Sequence, residues 1–261
     1  MPPSAHRCAR AVIEYDGTAF AGSQYQPNVR TVQGEMEEAL NRLTGVRTRV
    51  RLAGRTDAGV HATGQVAAFC LPPGGMRGPE LRRRLNAILP PDLVVRSLRP
   101  AEPGFDPRRD ALWRVYRYRI RMAGDRRPAD RHWALEINDR LDLAAMRRAA
   151  GGLPGVRDFA ALGSDPRGRT VRHLREVALI VRGTSVEVRV TGDAFLRRMV
   201  RSLVAVLLEV GRGKLDATGV DELLRLRSRA LHGRAAPARG LTLERVVYRT
   251  ADRSARENPG T

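Results

Sequence analysis

Apolar positions change period several times along the first hundred residues. Ala11–Tyr15 reads as a short strand ending at the turn signal Asp16-Gly17. Thr31 offers a helix cap, and Val32, Met36, Ala39, Leu40 and Leu43 then fall on one face at helical spacing. Gly45 takes the usual place past a helix end. Val50 and Leu52 alternate with arginines, the pattern of a half-buried strand. A glycine-rich segment leads to a strand over Gln65–Leu71. Pro79 suits a first helical position, and Leu81, Leu85, Ile88 and Leu89 form a second apolar stripe that Pro90-Pro91 stops. Leu93–Leu98 is the last strand of this half. The order is β-α-β-β-α-β, the split βαβ pattern.

The second half repeats that order without evident sequence identity. Trp113–Met122 predicts a strand with Tyr116, Tyr118, Ile120 and Met122 on one face. Leu141–Leu153 predicts a helix, and Glu176–Arg182 with Val186–Val190 predicts a hairpin around Gly183. Ala194–Val210 predicts a long helix, Val220–Leu226 a shorter one, and Leu243–Tyr248 the closing strand. The expected fold class is α+β. It comprises two ferredoxin-like (RNA-recognition-module-like) β-α-β-β-α-β domains, with largely antiparallel sheets flanked by helices and a cleft between the domains. Residues 1–104 form the first domain, 105–250 the second, and 251–261 a disordered tail.

Composition narrows the function classes. No stretch approaches the ~18 apolar residues of a membrane span, and the N-terminus lacks the apolar core of a signal peptide. Two cysteines, Cys8 and Cys70, make neither a disulfide scaffold nor a four-thiolate zinc site. The expectation is a soluble cytoplasmic protein with reduced thiols. Charge changes the picture most. Lys+Arg number 47 against 28 Asp+Glu, a formal +19, and Lys214 is the only lysine. Guanidinium groups suit bidentate phosphate contacts and stacking on bases, so a nucleic-acid partner is favoured.

Three segments carry candidate chemistry. Ala53–Gln65, AGRTDAGVHATGQ, is a polar loop between two strands that holds Arg55, Thr56, Asp57 and His61. It is long for a hairpin connection, and long loops are often functional. His61 has no second histidine at metal-ligand spacing, so a hydrogen-bonded structural histidine is the simpler reading of that residue. The helix predicted from Ala194 is apolar all round yet carries Arg197, Arg198 and Arg201 in its first turns. A guanidinium buried there needs an anionic partner, whether a structural carboxylate, an active-site aspartate or an RNA phosphate. WRVYRYR interleaves tyrosines with arginines, either as a base-stacking platform or as an amphipathic strand with its tyrosines in the core.

GRTDAGVHATGQV at 54–66 resembles the signature of the tRNA pseudouridine synthase A (TruA-type) family. IEYDGTAFAG at 13–22, TVQGEMEEAL at 31–40, LNAILPPDLVV at 85–95, RVYRYRI at 114–120, FLRRMVRSLVAVLLEVGRGK at 195–214 and GLTL at 240–243 resemble further family segments, in order. The resemblance implies conversion of uridine to pseudouridine at positions 38 to 40 of the tRNA anticodon stem-loop. It implies a homodimer with a basic active-site cleft, no cofactor and no metal.

By the same resemblance Asp57 matches the catalytic aspartate, the nucleophile. Tyr116 matches the tyrosine stacked on the target base, and Arg201 the arginine paired with the catalytic carboxylate. Arg55 matches an arginine that handles the RNA and the flipped base. Leu243 falls where the family places an apolar residue beside the site. Thr56, His61 and Tyr118 complete the expected substrate-binding set. Ser23 departs from a common tryptophan, Ala205 from a glycine and Thr242 from a tyrosine. The pair Arg197-Arg198 departs from one that usually includes a histidine. A non-catalytic RNA-binding protein or tRNA folding helper on the same scaffold is the alternative, which has no need of Asp57. A DNA-binding regulator is a weaker one, since no helix-turn-helix or zinc-finger spacing supports it.

Overall fold

The computed structural model describes residues 7–72, 76, 78–122, 127–227 and 235–249. In chain order the elements are β1 (Arg7–Tyr15), α1 (Val32–Thr44), β2 (Arg51–Leu52), β3 (His61–Leu71), α2 (Gly78–Ile88), β4 (Leu93–Pro100), β5 (Ala111–Met122), β6 (Leu135–Ile137), α3 (Leu143–Gly151), β7 (Gly155–Asp158), β8 (Val171–Arg182), β9 (Ser185–Gly192), α4 (Met199–Gly211), α5 (Ala217–Arg225) and β10 (Leu241–Tyr248). The α+β class and the β-α-β-β-α-β order of the first half agree with the sequence pattern. None of these helices is long and apolar enough to cross a membrane. The tail expected over 251–261 lies outside the described residues.

Two compact units emerge, one within 1–112 together with 243–261, the other within 113–242. The chain passes from the first unit to the second after Leu112, and most of β10 groups with the first. There the strand order is β4-β1-β3-β10, and β2 shares the outer edge of β3 with β10. β3 and β10 approach closely, since a Cβ on Gly64 would stand 2.3 Å from the Glu244 carbonyl oxygen. β1 runs antiparallel to both neighbours and buries Ala11, Ile13 and Tyr15 on one face. Thr31 caps α1 through the Gly34 amide, and Gly45 closes it with φ 69°, a left-handed conformation that suits glycine.

Within the second unit β5, β9, β8 and β7 pair antiparallel in that order, and the short β6 runs parallel to β5. Tyr116, Tyr118 and Ile120 are buried from one face of β5, with Val186, Val188 and Val190 buried on β9. Helix α4 is buried nearly all round, through Met199, Val200, Leu203, Val204, Val206, Leu207, Leu208 and Val210.

Three expectations are corrected. The helix predicted from Ala194 starts only at Met199. The Arg197 amide donates to the Ser164 carbonyl at 3.1 Å, and Arg198 turns into α4 with φ 64°. The chain is therefore committed to another strand-like segment before the helix begins. Cys8 and Cys70 are directly opposed in the β1–β3 register and are joined as a disulfide, not reduced thiols. The loop predicted over Ala53–Gln65 is shorter, because β3 takes in His61–Gln65.

Candidate active site

The segment between β2 and β3 is a β-turn on a built platform. Asp57, Ala58, Gly59 and Val60 form the turn, closed by the Val60 amide on the Asp57 carbonyl at 3.2 Å. Gly59 sits third with φ 76°, the position and conformation that favour glycine in a type II turn. Asp57 opens the turn and is half-buried.

Thr56, immediately before it, has every polar group engaged. Its amide donates to the Ser23 Oγ at 2.8 Å, and its carbonyl accepts from the Ser23 amide at 3.1 Å. Its hydroxyl lies 2.9 Å from the Tyr15 phenol. Gln65 holds Gly54, further upstream on the same side, donating from Nε2 to its carbonyl at 2.8 Å and accepting from its amide at 3.3 Å. Ser23, Thr56 and Gln65 are all buried. Leaving any of these groups unpaired would cost about 1–3 kcal/mol, so the network fixes the backbone that carries Asp57.

Two glycines permit this packing. A Cβ on Gly17 would stand 2.1 Å from the Val60 carbonyl oxygen, and Gly22, at φ 110°, would bring one within 3.0 Å of the Thr56 carbonyl. The Gly59 amide reaches the Phe20 carbonyl at 3.4 Å. The chain from 16 to 23 thus forms the floor on which the aspartate turn rests.

His61 is fully buried, and its Nδ1 accepts the Gly17 amide at 3.0 Å. That bond places the lone pair on Nδ1. The Asp16 carboxylate lies 3.1 Å from the same nitrogen and accepts from the Thr18 amide and hydroxyl. The ring therefore braces the floor. Arg55 is exposed. Leu243 is fully buried on β10, next to Glu244, whose carbonyl accepts from the Thr63 hydroxyl at 3.4 Å.

In the second unit Tyr116 is buried with its ring edge-to-face with Phe195, centroids 5.1 Å apart and planes at 84°. The Tyr118 hydroxyl donates to the Pro237 carbonyl at 2.9 Å, and burial pushes its ionisation well above the ordinary tyrosine range, against the opposing pull of Arg239 and Arg201. Arg201, half-buried in the first turn of α4, donates from Nε to the Ala236 carbonyl at 2.7 Å and accepts the Ala236 amide on its own carbonyl at 3.0 Å. Arg197 and Arg198 are exposed ahead of the helix, so the expected demand for a buried anionic partner does not arise for them. Among the described residues no group of three or more His, Cys, Asp or Glu side chains could hold a metal ion.

The elements that build this turn and the Arg201 helix lie within a family match. The family model for tRNA pseudouridine synthase covers residues 11–108 and 149–249. The chain belongs to that family. Among proteins named tRNA pseudouridine synthase A, it is 44% identical to one from Geobacter sulfurreducens over 93% of this chain and 100% of the relative. The Thermotoga neapolitana protein is 40% identical over 93% of this chain and 100% of its own length. The Myxococcus xanthus protein is 43% identical over 92% and 91% respectively. The alignments are close to full length in both directions, so the pseudouridine synthase family accounts for both units and not for the aspartate loop alone.

Sequence reasoning missed the anchors of this site. Ser23 stood out only as a departure from tryptophan, while Tyr15 and Gln65 read as ordinary strand positions. The signal was chemical. Gln65 is a polar group at the head of an apolar run, Tyr15 carries a phenol at the end of a strand, and a buried polar group requires a partner.

Proposed function

We propose that this chain isomerises uridine to pseudouridine at positions 38–40 of the tRNA anticodon stem-loop, with Asp57 as nucleophile. The observation that carries the proposal is the anchoring of the chain leading into the Asp57 turn, at Gly54 and Thr56, by buried hydrogen bonds. Such anchoring pre-organises a reacting group, and holding reactants in near-attack geometry supplies a large share of a catalysed rate. The N1–C1′ bond of the nucleotide breaks and N1 takes up a proton, a C5–C1′ bond forms, and the C5 hydrogen leaves as a proton. Asp57 attacks either C1′ or the uracil ring, and both routes use the same carboxylate. No external energy source is required, because one bond replaces another within the substrate.

Arg201 is the cation assigned to keep the nucleophile ionised, and its Nε contact to Ala236 supports that role by orienting the guanidinium. Tyr116 is the assigned stacking partner for the flipped uracil, and its contact with Phe195 holds the ring in place. Arg55, exposed beside Asp57, is assigned to the RNA, and the net charge of +19 favours a polyanion. Tyr118 and Leu243 are assigned to the walls of the site, Thr56 and His61 to holding the loop. A cytoplasmic homodimer acting without cofactor or metal completes the proposal.

The test is tritium release to water from tRNA transcript labelled at uracil C5, without added metal or nucleotide. Wild type should release tritium. Asp57→Ala should release none while binding tRNA as tightly. Tight binding with no release by wild type on any tRNA would reject the enzyme in favour of an RNA-binding protein.

A further inference from the structure

Ser23, outside the aspartate segment, grips Thr56 with both backbone and side chain. Its amide donates to the Thr56 carbonyl at 3.1 Å, and its Oγ accepts the Thr56 amide at 2.8 Å. Its own carbonyl accepts the Gln33 amide at 3.0 Å, which ties it to the first turn of α1. Its exposure is 0%. Tryptophan, the residue the family resemblance leads one to expect here, offers no oxygen to the Thr56 amide; a serine hydroxyl does.

We infer that Ser23 is a positioning residue for the reaction: through the Thr56 amide it sets the backbone from which Asp57 reaches the substrate. The inference rests on the assignment of Asp57 as nucleophile. Ser23 does not itself touch RNA. The Ser23 Oγ holds the Thr56 amide and the Ser23 amide holds the Thr56 carbonyl, so releasing the first bond lets Thr56 turn about the second and shifts the peptide unit that ends at the Asp57 Cα. Displacement of a reacting group by about 1 Å costs up to about 100-fold in rate. The Tyr15 phenol grips the same threonine from the other side, so the two anchors act on one residue and their losses are expected to couple.

The experiment measures single-turnover rate, KM and tRNA Kd for Ser23→Ala, Tyr15→Phe and the double variant, with the thermal midpoint of each. The full-length protein and C5-tritiated tRNA transcript are used. The expected result for Ser23→Ala is a fall in kcat of about 10–100-fold with KM and Kd within about twofold of wild type. Ser23→Thr, which restores an oxygen acceptor, should recover most of that loss. The double variant should be slowed by a factor that differs from the product of the single effects. An unchanged kcat in a Ser23→Ala protein of lowered thermal midpoint would overturn the inference and leave Ser23 a structural residue. A fall in tRNA affinity at constant kcat would overturn it in favour of an RNA contact. Should Ser23→Ala not fold, Ser23→Cys, which keeps the volume and weakens the acceptor, is read against the same outcomes. Asp57→Asn in parallel separates the two levels. Full activity there rejects the nucleophile assignment itself, whereas inactive Asp57→Asn with unaffected Ser23→Ala rejects only the role of Ser23.

Discussion

The Tyr15 phenol and the Thr56 hydroxyl lie 2.9 Å apart, both closed off from solvent. Tyr15 is the last residue of β1, and Thr56 is the residue before Asp57. The bond therefore connects the end of a central strand to the start of the aspartate turn. The Gln65 amide, 3.5 Å from the same phenol, comes from β3, which pairs with β1. The turn is thus referenced to two strands that are hydrogen-bonded to each other.

Alkaline pH should loosen this arrangement. Burial pushes the Tyr15 phenol up to about 12 from 10.0, more than its bonds to Thr56 and Gln65 lower it. The unfolded chain ionises this tyrosine from about pH 10, while the folded protein resists ionisation until about 12. The stabilisation is therefore complete below pH 10 and is lost as pH rises towards 12. Tyr118, also pushed up by burial, acts in the same direction. Urea unfolding at pH 8, 10, 11 and 12 should show constant stability and then a fall. In Tyr15→Phe the fall should be shallower, and the variant should be about 1 kcal/mol less stable at pH 8.

Glycines should separate by what surrounds them. Gly17→Ala places a methyl 2.1 Å from the Val60 carbonyl oxygen, so backbone must move at the floor of the aspartate turn. The expected loss is at least about 1–3 kcal/mol, as in overpacked cores, together with most of the activity. Gly45→Ala meets nothing within 4 Å and strains only the left-handed cap at φ 69°. It should cost about 1–2 kcal/mol and leave turnover intact. Chemical denaturation and tritium release on both variants check this.

The first unit was legible because its signals agree. Thr31 and Gly45 bracket α1, Pro90 stops α2, and the strands alternate or run apolar. The second unit was less so. β6 and β7 are only three and four residues long, too short for a period to show. The start of α4 was misplaced because Phe195 and Leu196 continue its apolar pattern in sequence, whereas the bridge between Ser164 and Arg197 is a long-range interaction that no local pattern reports. The Cys8–Cys70 pairing depends on the β1–β3 register, which residue spacing does not contain. At the site, Asp57 and its neighbours were visible as an unusual segment. Their anchors were not, since Ser23, Tyr15 and Gln65 act through contacts 11 to 41 positions away in sequence.

The segment around Ala236 is held by two bonds that also hold expected site residues. Tyr118 donates to Pro237, and Arg201 donates to Ala236. Tyr118→Phe removes the first and leaves the ring packing, in which a Cβ on Gly240 would already clash at 2.6 Å. Stability should fall by about 1 kcal/mol. Turnover should fall more than tRNA affinity, because Arg201 shares the loosened segment. Denaturant titration and tritium release measure the two effects separately.

Arg55 gives the clearest electrostatic prediction. It is exposed one residue before Thr56, on a chain of net charge +19. An exposed guanidinium that contacts a phosphate releases counterions when RNA binds, so its removal reduces the salt dependence as well as the affinity. For Arg55→Ala the plot of log K against log salt should flatten by about 0.7–0.9, the share of one phosphate contact. Arg55→Lys should keep the slope, since the charge remains, while losing affinity through the missing bidentate geometry. Binding isotherms with tRNA transcript at several salt concentrations between about 50 and 200 mM resolve these slopes. An Arg55→Ala protein with unchanged slope and affinity but slowed turnover would place Arg55 at the flipped base instead of at the backbone.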